Sequence, residues 1–134
     1  MAPTSSIVVL LENDEATREL YRRELARRFT VIACSTEREA LLALHEQLVQ
    51  AIVVEPVALA DDSWGFFDAV RRTEAGRTIV VIVCSILDAR RRGLEFGADA
   101  YLIKPVTPAT LAATLAYLLR KQANQLTGAV NNDR

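Results

Sequence analysis

The sequence is poor in residues suited to metal or redox chemistry, and it carries no excess of either charge. It holds two cysteines and one histidine. Cys34 and Cys84 are far apart, lack CxxC spacing and sit in apolar strand-like stretches, so they read as reduced core residues. His45 is flanked by helix formers and reads as a helix-surface residue rather than a ligand or base. A formal net charge of -1 gives no general pull toward nucleic acid or an anionic membrane. No basic segment precedes the first apolar run, and that run, residues 7–11, is only five residues long. Neither a signal peptide nor a spanning helix is therefore expected. No helix-turn-helix pattern is present. These absences together point to a cytoplasmic protein that binds neither membrane nor nucleic acid.

What is there suits one ordinary domain: 134 residues, 51% hydrophobic and 25% charged, enough for a real core. The organising stretch is Ala51-Ile52-Val53-Val54-Glu55-Pro56. A short, largely β-branched apolar run stopped by a proline reads as a strand buried on both faces of a parallel sheet. Similar runs occur at 7–11, 29–34, 78–84 and 98–103. Helical patterns lie between them. The first, capped by Asp14, runs to about Arg28 with Leu20, Tyr21 and Leu25 on its buried side. The second, capped by Ser35 or Thr36, carries the stripe Leu41, Leu44 and Leu48. A long loop then leads to a third helix with Phe66, Phe67 and Val70. The fourth, at 87–96, carries Arg90, Arg91 and Arg92 and is closed by Gly97. The last starts at Thr107-Pro108, with Leu111, Leu115 and Leu118 as its stripe. Residues 1–123 read as the domain, and 124–134 as a flexible tail or the start of a linker.

Five strands alternating with helices predict an α/β, doubly wound, five-stranded parallel sheet of order 2-1-3-4-5, a flavodoxin-like fold. Ligand sites in such sheets lie at the carboxyl ends of the strands, at the switch point between strands 1 and 3. That placement gathers Glu12, Asn13 and Glu55, with Lys104-Pro105 at the end of strand 5.

With those residues aligned, the chain resembles the receiver domain of bacterial two-component response regulators. The resemblance spans Ile7 to about Arg120, and rests on Glu12-Asn13, Arg18, Glu55, Ser85 or Cys84, and the run from Gly97 through Ala98-Asp99-Ala100-Tyr101-Leu102-Ile103 to Lys104-Pro105. It implies phosphorelay signalling. An aspartate at the Glu55 position would accept a phosphoryl group from a histidine kinase, and an acidic pair with that aspartate would hold magnesium. A hydroxyl at Ser85 and the ammonium of Lys104 would grip the phosphoryl oxygens. Ser85 is preferred to Cys84, because Ile86 then fills the usual small-residue position. The aromatic at Tyr101 would turn inward on activation, and the bond before Pro105 would be cis. Helix 4, strand 5 and helix 5 would form the surface for a kinase, a downstream protein or a homodimer partner.

The sequence departs from the pattern where the chemistry happens. Glu55 replaces the aspartate and moves its carboxylate by somewhat over 1 Å, and a misplacement of about 1 Å costs on the order of 100-fold in rate. Asn13 removes a carboxylate from the magnesium site, so Mg²⁺ binding weakens without having to vanish. Glu55 is long enough to reach Lys104 and stand in partly for a phosphoryl oxygen. Asp14 reads as a helix cap rather than a substitute ligand, Asp61 and Asp62 as solvated, and Trp64 as an exposed loop aromatic. Tyr101 is either a switch or a strand-end aromatic. The expectation is a non-enzymatic interaction module of the pseudo-receiver kind, independent of phosphorylation. The alternatives are a conventional phosphorylated receiver and a flavodoxin-like cofactor binder. The acidic, glycine-free first loop argues against the latter.

Overall fold

The computed structural model describes residues 6–59, 65–72, 78–95 and 97–131. Asp61, Asp62 and Trp64 lie outside the described residues. The strands are β1 (Ile7–Leu11), β2 (Thr30–Cys34), β3 (Ala51–Val54), β4 (Val80–Ser85) and β5 (Ala100–Ile103). The helices are α1 (Glu15–Leu25), α2 (Glu37–Glu46), α3 (Gly65–Arg72), α4 (Arg90–Glu95) and α5 (Pro108–Asn131), with a 3-10 turn at Pro56–Ala58. All strand pairs are parallel and the order is β2-β1-β3-β4-β5, as expected.

Alternation along the central strands divides the core into two layers. Val9, Leu11, Ile52, Val54, Val81 and Val83 face Ala40 and Leu44 of α2 and Phe66, Phe67 and Val70 of α3. Val8, Leu10, Val53, Ile82 and Cys84 face Tyr21 and Leu25 of α1 and Leu111 and Leu115 of α5. The same alternation carries past the strand ends, so Glu12 and Glu55 continue the α1/α5 side of β1 and β3.

Several boundaries differ from the sequence reading, each for a local reason. Helix α1 stops at Leu25 because the amides of Arg27 and Arg28 bond to the carbonyls of Glu24 and Leu25, a tightened last turn. Leu20 is 55% exposed, one position off the stripe of Tyr21 and Leu25. Leu48 is 80% exposed because α2 has already ended at Glu46, which breaks the i, i+7 relation. Thr36, not Ser35, caps α2 and accepts the amide of Glu39. Helix α4 begins at Arg90 rather than Leu87, because the residues before it are held by side chains from β4 and β5. Helix α5 does not fray from Asn124 but continues to Asn131, a stretch with no proline to stop it. Gly97 takes φ +94°, the left-handed cap conformation that glycine favours.

Candidate functional site

The carboxyl ends of β1, β3 and β5 converge on one buried cluster. Glu12 and Glu55 are 2% and 3% exposed, and between them lies the ammonium of Lys104. Lys104 Nζ is 2.6 Å from Glu12 Oε1 and 3.3 Å from Glu55 Oε1. The other oxygens are also engaged: the Asp14 amide donates to Glu12 Oε2 at 3.0 Å, and the Val57 amide donates to Glu55 Oε2 at 3.3 Å. Every oxygen of the two carboxylates therefore has a donor. Burial works against the charge on Lys104, but the bond to Glu12 and the charges of Glu12 and Glu55 outweigh it. The ammonium is held above the ordinary lysine range.

The flanking positions explain why the cluster sits where it does. Asp14 caps α1 by accepting the amide and the hydroxyl of Thr17 at 2.9 and 2.6 Å, and those bonds lower its pKa. Asn13 is exposed, on the turn between Glu12 and that cap. Arg18, half-buried rather than fully solvated, donates to the carbonyl of Glu12 at 2.9 Å. The Lys104-Pro105 bond is cis.

Ser85 is fully buried, and its hydroxyl accepts the amide of Leu87 at 3.1 Å. Cys84 lies on the opposite face of β4, in the α1/α5 layer. Its Sγ is 3.8 Å from the hydroxyl of Tyr21. Burial raises the Cys84 thiol pKa, and the group also feels the charges of Lys104, Glu55 and Glu12. The hydroxyl of Tyr101 donates to the carbonyl of Leu87 at 2.7 Å and accepts the amide of Ala89 at 3.2 Å. Its ring packs on the α2/α3 layer. Tyr101 thereby ties β5 to the connection between β4 and α4.

The structure thus brings Glu12, Glu55 and Lys104 into contact, leaves Asn13 outside it, and engages Ser85 and Tyr101 with the β4–α4 connection. Among the described residues, no three His, Cys, Asp or Glu side chains are grouped to hold a metal ion. Arg91 pairs with Glu95 on the surface of α4, and Arg90 with Asp88 just before it. Two features escaped the sequence reading. Glu12, not Glu55, is the nearer partner of Lys104. Tyr21, read only as a core residue, places its hydroxyl 2.9 Å from the carbonyl of Val106. The signal for Tyr21 was a phenol at a stripe position where an aliphatic side chain would have sufficed.

Comparison with known proteins agrees with this fold. No family model matches the chain. The chain is 31% identical over 118 residues to the "Probable transcriptional regulator ycf27" of Pyropia yezoensis, covering 84% of this chain and 47% of that protein. It is 24% identical over 119 residues to the protein of the same name from Guillardia theta, covering 88% and 47%. The chain spans about half the length of the curated relatives it matches. Among solved structures, the chemotaxis response regulator CheY4 of Vibrio cholerae superposes with a TM-score of 0.78 at 20% identity, covering 86% of this chain and 99% of that one. A CheY-like receiver domain protein from Methanospirillum hungatei gives a TM-score of 0.81 at 17% identity, covering 91% and 99%.

Proposed function

The chain is a receiver domain of the response-regulator family, and from that premise we propose that it signals by protein contact, with a switch held by its own side chains rather than by a phosphoryl group. The observation that carries this reading is Lys104, whose ammonium lies between Glu12 and Glu55. In the receivers that the chain resembles, that lysine grips the phosphoryl oxygens. Here a carboxylate at the acceptor position already occupies it.

The donor set of the pocket supports the same reading for the metal. A hard dication needs free carboxylate oxygens in near-octahedral array. Glu12 and Glu55 spend theirs on Lys104 and on the amides of Asp14 and Val57, and the third position is a neutral, exposed Asn13. Magnesium binding is accordingly weak, and the domain performs no catalysis of its own.

The readout end of the device is Tyr101. Its seat against the core and its two bonds to the β4–α4 connection fit the inward, signalling position that the resemblance implies. Beside it, a groove of about 280 Å³ is lined by Arg90, Tyr101, Ile103, Pro105 and Thr110. Part of α4, β5 and the start of α5 meet there, so this face receives a kinase, a downstream protein or a second copy of the chain. A cytoplasmic setting belongs to the proposal; among the described residues, no helix is long and apolar enough to cross a membrane. The names of the curated relatives favour a second reading, the receiver half of a transcriptional regulator.

The test is the intact mass after incubation with magnesium and acetyl phosphate at neutral pH, beside a conventional receiver that becomes modified. An unmodified mass supports the self-held switch. An adduct mapping to Glu55 overturns it and makes the domain a working relay component.

A further inference from the structure

We propose that Tyr21 is the positioning residue of the Lys104 clasp: its hydroxyl fixes the connection between β5 and α5 so that the ammonium stays between Glu12 and Glu55. The inference deepens the reading of the pocket as held by its own side chains, and rests on it.

Tyr21 is 4% exposed and sits in the α1/α5 layer of the core. Its ring fills space that leucine could fill, so the hydroxyl is the part that calls for an explanation. A buried phenol needs a partner. This one donates to the carbonyl of Val106 at 2.9 Å and lies 3.8 Å from Cys84 Sγ. Val106 is two residues past Lys104, across the cis Lys104-Pro105 bond. On the near side, the amide of Lys104 donates to the carbonyl of Ser85 at 2.8 Å. The segment carrying the lysine is therefore tied at both ends, to β4 before the side chain and to α1 after it.

That matters because a lysine stem is flexible, with four carbons between backbone and charge. Where its ammonium rests depends on how firmly the backbone beneath it is placed. Tyr21 is also within the field of the pocket. Burial raises its phenol pKa most, and Cys84, Glu12 and Glu55 add to the rise. One side chain of α1 thus touches β4 and the β5–α5 connection immediately behind the carboxylates.

The sequence provides an internal reference for the test, since its only lysines are Lys104 and Lys121, and Lys121 is exposed. The folded protein is acetylated with an N-hydroxysuccinimide ester, and the two rates are read by peptide mass spectrometry. In wild type, Lys104 labels far more slowly than Lys121. Tyr21→Phe, checked as folded by circular dichroism, raises the Lys104 rate on the order of fivefold relative to Lys121, the size expected for one lost hydrogen bond. A purely structural role lowers the melting temperature and leaves that ratio unchanged. Should Tyr21→Phe fail to fold, 4-fluorophenylalanine at position 21 fills the volume without a donor and carries the same expectation. A folded variant that labels Lys104 as slowly as wild type overturns the proposal. Wild type is treated with magnesium and acetyl phosphate in parallel. An adduct on Glu55 refutes the self-held pocket whatever Tyr21 does, whereas an unmodified wild type with an unchanged ratio refutes only the role of Tyr21.

Discussion

Replacing Lys104 by alanine removes the cation that lies between two buried carboxylates. The side chains of Glu12 and Glu55 are each 3% exposed, and that of Lys104 is 14% exposed, so little water is available to take over. Hydrogen bonds to charged groups contribute about 1.5–3 kcal/mol each, and breaking a fully buried pair costs about 3–5 kcal/mol. The pocket opens at the lysine, and each carboxylate keeps one amide donor, from Asp14 or Val57. The expected loss is therefore below the sum, about 2–4 kcal/mol at neutral pH. For a domain of this size that is a drop of about 10 °C in Tm. The pH dependence provides a sharper check. The pKa of Lys104 is raised on folding, so its contribution is fully present below the unfolded lysine value and fades as pH rises through the folded one. The difference between wild type and Lys104→Ala in urea unfolding should be flat from about pH 6 to 9 and shrink above about pH 10.4. An unchanged Tm, or a difference that stays undiminished well above that pH, refutes the clasp.

Three further expectations follow from the same geometry. Glu12→Gln should destabilise more than Glu55→Gln, by about 1 kcal/mol, because Glu12 holds the ammonium at 2.6 Å against 3.3 Å; equal losses in urea titrations would contradict that ranking. Burial pushes the Cys34 thiol up to about 11 and raises Cys84 as well, so neither should react with a disulfide reagent at pH 8 until the protein is unfolded; rapid titration of one thiol in the native state would refute its placement. The double variant Asn13→Asp with Glu55→Asp shortens the acceptor and restores a metal carboxylate, and should gain a phosphoryl adduct from acetyl phosphate with magnesium where wild type gains none. If the variant is folded and stays unmodified, the two substitutions are not what blocks the chemistry.

Much of the fold was legible because its signals are local. The apolar runs ending in Glu12, Glu55, Ser85 and Lys104 announce buried parallel strands, and the switch-point rule then gathers Glu12, Asn13 and Glu55, of which the exposed Asn13 stays outside the contact. The fold places Glu12, Glu55 and Lys104 in contact, and the Lys104-Pro105 bond is cis. Distances across the strand ends were not legible. Nothing along the chain ranks Glu12 above Glu55 as a partner of Lys104, because that order depends on how far each strand reaches past the sheet. The start of α4 was misplaced for a related reason. Leu87 to Ala89 have a helical look, but Ser85 and Tyr101 hydroxyls take their backbone groups instead. The hydroxyl of Tyr21 was hidden by its own periodicity, since a stripe position is read for its apolar area first.

The clasp also orders the events that any phosphoryl chemistry would require. By the resemblance, a magnesium ion would use oxygens of Glu12 and Glu55, and an incoming phosphoryl group the ammonium of Lys104. These three groups are already committed to one another. Without a metal they sum to one negative charge in a partly buried site, which at an effective dielectric of about 20 opposes an approaching anion by a few kcal/mol at contact distance. Phosphorylation would have to undo the clasp before it could begin. Under the proposed reading, a partner docking at the groove beside Tyr101 and Arg90 needs none of those three groups, since Glu12, Glu55 and Lys104 do not line it. Signalling through contact at that face, with the pocket as a fixed brace behind it, is the reading that leaves every one of these bonds in place.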